Sequence, residues 1–420
     1  MSIYMLIDCN AFYCSCIQIF QPHLRGLPVV VLSNNDGCVI ARTREAKTLG
    51  IKMGEPFHLN RKRFDELGIR YFSSNYPLFG DISDRVMRTI ACEVDEQEIY
   101  SIDEAFCRVS GIADLDGFAR RLKDMIWQRH GMPVGIGISV TKTLAKVANW
   151  RAKSSPRAAG VLDLVCPERR ELLLRHTPIE EVWGIGRRLS ERLKADLQVE
   201  TAWQLAQADR TALQALYGVT VVRTSRELMG QDCHGLELDP EPSKMIGSSK
   251  MFGIRVRDLH LLKQALATYT TRCAEKLRAQ GSVCSSLGVS LSTSPHDEGP
   301  QHHGSISVRL STGTSDTRLL VEAACRGLDE IFQAGLGYCR VGVIFQRIDE
   351  QKSTPADLFS CHASSAKHDQ VMQALDSINA KFGRNKIHVG RVNSDPSWAM
   401  RANFMTPAYT TRWSELLVVH

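Results

Sequence analysis

The sequence predicts an α+β protein of several domains, and three observations carry that expectation. At 420 residues the chain exceeds what one hydrophobic core ordinarily organises. Its first part mixes short apolar runs with amphipathic helical stretches, whereas residues 178–230 carry helical signals alone. Beyond a stretch at 231–245 that contains Pro240 and Pro242, the order becomes strand, helix, strand, strand, helix, strand, the split βαββαβ pattern.

Each element has a local reason. Ile3 to Ile7 is an apolar run of strand-favouring residues, and Leu27-Pro28-Val29-Val30-Val31-Leu32 is a second. Ser33-Asn34-Asn35-Asp36-Gly37 has the composition of a turn. Residues 41–49 read as helix, ending at Gly50. Residues 98–109 alternate as two strands around a turn at Ser101-Ile102-Asp103-Glu104. Residues 115–129 form an amphipathic helix, 134–138 a strand and 142–153 a further helix. After the linker, strands are expected at 243–252, 283–293, 304–310 and 338–346, with helices at 258–279 and 315–334. The chain after residue 350 is polar, then mixed and basic, and has no assignable fold.

Composition narrows the class. A hydrophobic fraction of 43% with 23% charged residues allows each domain its own core. The formal charge of +6 suits a partner that carries phosphates. Thirteen cysteines, an odd number without any C-x-x-C pair, argue for free thiols in a reducing cytoplasm rather than for disulfides or zinc. Asp8 arrives too early for a signal peptide, and no apolar run approaches a membrane span, so a cytoplasmic location is expected.

Three acids stand out. Asp8 ends a buried-looking strand, and Asp103 and Glu104 sit at a strand turn. A carboxylate at the end of an apolar strand has to meet a cation, a donor or water. Acids converging from separate strands would suit the divalent cations of phosphoryl transfer. On spacing alone the plainer alternative stands: Asp8 caps a turn and Asp103-Glu104 is a solvated loop. In the helix at 142–153, Lys142, Lys146, Asn149 and Lys153 fall in one stripe, opposite Leu144, Val147 and Ala148. The stripe is expected to face outward, with the helix fraying near Arg151. Arg44 and Lys47 share another helix face. Val182-Trp183-Gly184-Ile185-Gly186, between short helical stretches, reads as a helix-hairpin-helix that grips a phosphate backbone without reading sequence.

The words around the acids add a resemblance. Asp8-Cys9-Asn10-Ala11-Phe12-Tyr13 and Tyr100-Ser101-Ile102-Asp103-Glu104-Ala105-Phe106 resemble the signature segments of the Y-family DNA polymerases. Glu45 to Gly54, Gly137-Ile138-Ser139 with Lys142-Thr143-Leu144-Ala145-Lys146, and Val182 to Gly186 match in the same order. Ser33 to Arg42, Phe72 to Tyr76 and Tyr409-Thr410-Thr411-Arg412 resemble the polymerase V branch in particular. The likeness spans nearly the whole chain and is weakest between 345 and 400.

The resemblance implies a right-hand fold: palm at 1–32 and 76–169, small fingers at 33–75, helical thumb at 170–232, linker at 233–245 and little finger at 246–348. Residues 349–420 would form a C-terminal region for partner or clamp contacts. It makes Asp8, Asp103 and Glu104 ligands of two Mg²⁺ ions, assisted by the backbone carbonyl of Cys9. The amides of Phe12 and Tyr13 would face phosphate oxygens, and Tyr13 would be the steric gate against a ribose 2′-hydroxyl. Arg44, Lys47 and Lys153 would meet the triphosphate, with Ile40 and Cys38 near the nascent base pair. Lys146, Gly184, Ile185 and Gly186 would contact DNA, as would Lys250, Arg255, Arg257 and Arg309 on the second sheet.

The implied activity is error-prone translesion synthesis in the DNA-damage (SOS) response. The implied partners are primed and damaged DNA, dNTP, a cleaved UmuD dimer, a RecA filament and the sliding clamp. Two departures qualify the match. Single-subunit relatives usually have tyrosine at Arg44 and arginine at Lys47, although the polymerase V branch tends to lysine at the latter. In Thr354-Pro355-Ala356-Asp357-Leu358-Phe359 the leading glutamine of the clamp motif is replaced, leaving Leu358 and Phe359 as its remnant. Two rival readings remain: another palm enzyme such as a nucleotide cyclase, which has no use for a DNA-gripping thumb, and a non-catalytic DNA-binding scaffold, against which all three acids stand.

Overall fold

An apolar strand that alternates with neither face exposed has to be covered on both sides, and Tyr4–Cys9 (β1) is. The computed structural model describes residues 2–351, 365–383, 386–392 and 396–417. It divides into two compact units, one of Met1–Ser33, Gly37–Pro240 and Phe404–His420, the other of Asn34–Asp36 and Glu241–Asn403.

In the first unit, β1 is followed by Val29–Leu32 (β2), Val39–Arg42 (β3), Arg70–Ser73 (β4), Glu96–Ile99 (β5), Glu104–Arg108 (β6), Val134–Ser139 (β7) and Val161–Asp163 (β8). Five of them form the palm sheet, in the order β5-β6-β1-β7-β8. The other three make a small sheet, β3-β2-β4. β2, expected in the palm at 1–32, therefore pairs in the small sheet instead. Its alternation explains the ambiguity: Val29 and Val31 enter the palm core while Val30 and Leu32 enter the finger core. The helix expected at 41–49 is shorter, Arg44–Thr48, because Ala41 and Arg42 pair with β2. Thr43 caps it by accepting from the amide of Ala46.

The thumb contains only helices, as its lost β signal foretold: Pro167–Arg175, Arg187–Leu197, Ala202–Gln207, Arg210–Tyr217 and Val219–Leu228. Its core continues into the palm helix Lys142–Ser154 through Leu144 and Val147. Fully buried Glu227 binds the two together, accepting from the amides of Thr143, Cys233 and His234. A carboxylate at a helix N-terminus is well placed for the helix dipole.

The second unit holds Ile246–Val256 (β9), Ser282–Thr293 (β10), His303–Thr314 (β11) and Tyr338–Glu350 (β12), with helices Leu259–Ala279 and Thr317–Ile331. The sheet order is β11-β10-β12-β9, with every pair antiparallel. β9 and β10 thus run the same way with β12 between them, the split arrangement expected.

The last segment has an anchoring that its sequence concealed. Helix Ser365–Phe382 is pinned by Arg278, which forks onto Asp376 with both contacts at 2.7 Å. Trp398 is buried in the core of the second unit against Phe252 and Tyr269. Phe404 packs on Phe57 and Tyr71 of the first unit, Asn75 donates to Thr406, and Tyr409 stacks on Phe20 at 4.5 Å. Leu358 and Phe359 lie outside the described residues. The twelve described cysteines are free thiols. No helix among the described residues is long and apolar enough to cross a membrane.

Candidate active site

β1 lies between β6 and β7, and its register sets Asp8 opposite Glu104 on one side and Gly135 on the other. Opposed residues of antiparallel strands point to the same face, about 5 Å apart at their Cα atoms. The two carboxylates therefore share a face. Asp103 is drawn beside them, its carbonyl accepting from the amide of Cys9 at 2.9 Å. Ser101 shapes this turn: its hydroxyl donates to Asp103 Oδ1 at 2.6 Å and accepts from the amide of Glu104 at 3.1 Å. Acids 95 residues apart in the chain thus meet. Burial raises the pKa of Asp8 to about 6; Lys153 opposes the rise, and Glu104 and Asp103 add to it.

Helix Lys142–Ser154 lies across this face, and its basic stripe points the opposite way from expectation. Lys142 is buried in an ion pair with Glu98, and Lys146 meets both oxygens of Glu104 at 2.9 and 3.0 Å. Asn149 donates to the Gly135 carbonyl at 2.7 Å, and Lys153 reaches Asp8 at 2.5 Å. The helix is covered on both sides, by the palm sheet beneath its basic stripe and by the thumb core against its apolar one. The stripe does not face outward: Lys142 and Asn149 are buried and Lys146 is half-buried, while Lys153 stays exposed beside Arg151 at the end of the helix. Lys146 accordingly touches a catalytic candidate rather than an open surface. The expected fraying at Arg151 is absent, since the helix runs on to Ser154. Two glycines permit the close approach. A Cβ on Gly137 would lie 2.3 Å from the carbonyl oxygen of Ala145, and one on Gly135 would lie 2.9 Å from Lys153 carbons.

Among the described residues, no group of three or more His, Cys, Asp or Glu side chains is gathered closely enough to hold a metal as it stands. Asp8 and Glu104 each hold an ammonium group instead.

The nucleotide side is built from helix Phe12–Phe20 and the fingers. Ala11 starts that helix at φ 45°, a left-handed conformation rare for alanine, and first-turn amides have no partner within a helix. Phe12 is buried in the palm core, whereas Tyr13 is only partly buried. The Tyr13 ring is stacked on Phe79 at 4.7 Å and set edge-on to Tyr76 at 6.1 Å. Arg44 and Lys47 are exposed, and Ile40 and Cys38 are half-buried. In the thumb, Gly184 has φ +85° and Gly186 caps helix Arg187–Leu197, while the Ile185 side chain is buried in the thumb core.

In the second unit, Arg257 and Arg309 are exposed. Arg255 is held by Asp297 at 2.7 Å. Lys250 does not lie on the open, DNA-facing side where it was expected. It pairs in register with Val341, whose side chain is in the helix-covered core, so it shares that face rather than the open one. Burial and nearby Arg272 lower its pKa. The open face is made of Gly288, Ser290, Ser305 and Ser307, with Arg340 exposed on the neighbouring strand.

Sequence reasoning missed Glu98 and Glu227, and it named Asn149, Tyr100 and Trp183 without giving the side chains a role. The lysine spacing did hold a signal, but only the strand register reveals which acids lie beneath it.

Family models match most of the chain. Residues 7–149 match the impB/mucB/samB family, 243–358 its C-terminal domain and 369–419 a domain of unknown function, DUF4113. The chain is 41% identical to Protein UmuC of Salmonella typhimurium, over 99% of this chain and 100% of that one. The chain belongs to the impB/mucB/samB family. Protein SamB of Salmonella typhimurium is 40% identical over 99% of both chains, and DNA polymerase IV of Bacillus velezensis 26% over 92% of both. Among solved structures, a Y-family DNA polymerase chimera of Dbh and Dpo4 has a TM-score of 0.67 at 20% identity, covering 83% of this chain and 100% of that one. An insertion ternary complex of Dbh DNA polymerase follows at a TM-score of 0.56, 21% identity and the same coverage. The impB/mucB/samB chain therefore has the Y-family polymerase fold.

Proposed function

We propose that this chain is a template-directed DNA polymerase that copies past damaged bases in the SOS response, adding nucleotides to a primer 3′-hydroxyl. One observation supports the reading: Asp8 and Glu104 lie opposite each other on one face of the palm sheet, and Asp103 sits on the adjoining turn, its carbonyl accepting from the amide of Cys9. The donor set suits Mg²⁺. All three offer hard carboxylate oxygens, the Cys9 carbonyl is adjacent, and Asp8 and Glu104 already attract cationic partners. Two bound Mg²⁺ ions would supply activation of the primer hydroxyl and neutralisation of the departing pyrophosphate.

The chain's own residues do the rest. The amides of Phe12 and Tyr13 bind triphosphate oxygens at a helix N-terminus, and Arg44, Lys47 and Lys153 add positive charge. Tyr13, braced by Phe79 and Tyr76, excludes a ribose 2′-hydroxyl. Fingers of three short strands leave the nascent pair near Ile40 loosely checked, which permits bypass and lowers fidelity. The hairpin at Gly184 and Gly186, and Arg257 and Arg309 of the second unit, contact the DNA backbone. A cleaved UmuD dimer, a RecA filament and the sliding clamp are the partners this reading calls for, with the protein cytoplasmic and at the nucleoid when active.

The test is primer extension across an abasic template with Mg²⁺, comparing the wild type with Asp103→Asn. The wild type should extend and the variant should lose at least about a hundredfold in rate. Equal extension by both would remove the catalytic assignment.

A further inference from the structure

Lys146 is unusual among the palm lysines in what encloses it. Its ammonium spans both oxygens of Glu104, and three aromatic rings stand around it. The centroids of Tyr100, Trp183 and Phe106 lie 4.6, 5.5 and 5.8 Å from Nζ. A lysine has a long flexible stem and a strongly hydrated head, so fixing it requires something that restricts the stem and replaces water. Aromatic faces do both.

The walls come from two parts of the first unit. Tyr100 and Phe106 flank the acid turn in the palm. Trp183 opens the glycine hairpin of the thumb, between Val182 and Ile185, which are buried in the thumb core. Trp183 itself stands outside that apolar cluster. Its indole N–H donates to the Tyr100 hydroxyl at 3.2 Å, with the two rings nearly perpendicular at 84°. His234 closes on the other side of the indole, 5.8 Å between centroids. The indole is thus committed to the palm rather than to the thumb that carries it.

We propose that Trp183 is a positioning residue for nucleotide insertion: with Tyr100 it cages Lys146, and the caged ammonium fixes the carboxylate of Glu104. This rests on reading the acid row as the polymerase centre. The cage orients one of three crowded carboxylates and offsets their mutual repulsion, and it ties that orientation to the seating of the thumb hairpin. A loosened cage leaves nucleotide binding intact and costs the chemical step.

Two experiments test it. In single-nucleotide insertion on primed DNA, Trp183→Ala should lower kcat about tenfold while KM for dNTP stays within about twofold. Trp183→Phe, which keeps a ring face, should recover most of the loss, and Lys146→Met combined with Trp183→Ala should be no worse than Lys146→Met alone. Tyr100→Phe, which removes only the hydroxyl acceptor, gives a milder kcat loss and guards against a misfolded alanine variant. The second readout needs no activity: in DNA-free protein, the emission of Trp183, isolated as wild type minus Trp183→Phe, should shift when Lys146 becomes Met. Equal changes in kcat and KM, additive losses, or an unshifted Trp183 spectrum would each overturn the cage. A wild-type protein that extends no primer sinks the polymerase reading instead, and the emission shift then decides the cage alone.

Discussion

The palm and the second unit both present basic residues beside a sheet, but they place them in opposite ways. Across the palm sheet the lysines are turned inward, each against a carboxylate: Lys142 on Glu98, Lys146 on Glu104, Lys153 on Asp8. In the second unit Arg257, Arg309 and Arg340 are turned outward, around an open face of glycine and serine. Inward lysines over acids hold a reaction centre's charge in balance. Outward arginines beside small residues leave room for a phosphate backbone. The sign of the charge is the same; the partner differs.

The largest expected effect breaks the palm side of that comparison. Lys142→Met strands Glu98 in a buried setting, where removing one partner of an ion pair costs on the order of 3 kcal/mol. Chemical denaturation should show this as a lowered midpoint. Lys250→Met is the control from the other sheet. Lys250 is half-buried and its pKa is depressed by burial and Arg272, so at neutral pH it carries a cost, and its removal should leave the midpoint unchanged or raised.

Replacing Tyr13 with Ala opens the braced ring space, and ribonucleotide insertion should rise at least about tenfold relative to deoxyribonucleotide in competition assays. Arg309→Ala should weaken DNA binding across all sequences and reduce the salt slope by about one. Arg255→Ala should do less, because Asp297 already neutralises that guanidinium.

The smallest effect concerns pH. His130, at the end of helix Leu115–His130, has its pKa lowered from 6.5 by burial, with Arg85 and Arg129 nearby. A depressed folded-state pKa gives stability that is present above the unfolded value and lost as pH falls through the folded one. The melting temperature should therefore drop between pH 7 and 5, and His130→Gln should flatten part of that drop.

Legibility followed periodicity. The strands of the second unit and the helices between them were readable because alternation and helical spacing are local signals, whereas spacing alone left Asp8, Asp103 and Glu104 as a turn cap and a solvated loop until the motifs around them were read. The direction of the Lys142–Ser154 stripe was not, because amphipathic reasoning turns charges toward water, whereas here Glu98, Glu104 and Asp8 draw the lysines onto the sheet. Glu227 was invisible for the same reason: a buried carboxylate that serves three amides looks like any helix-surface glutamate in sequence. The segment after residue 365 escaped because isolated aromatics anchor it, Trp398 in one unit and Phe404 and Tyr409 in the other, at spacings that match no repeat.

What most directly tests the convergence of the three acids is the number of divalent ions they retain. With primed DNA and a non-hydrolysable dNTP bound, Mn²⁺ titration followed by electron paramagnetic resonance of the free ion should give two tight sites in the wild type. Asp103→Asn should weaken or abolish them. Superimposable titrations for the two proteins would contradict the account.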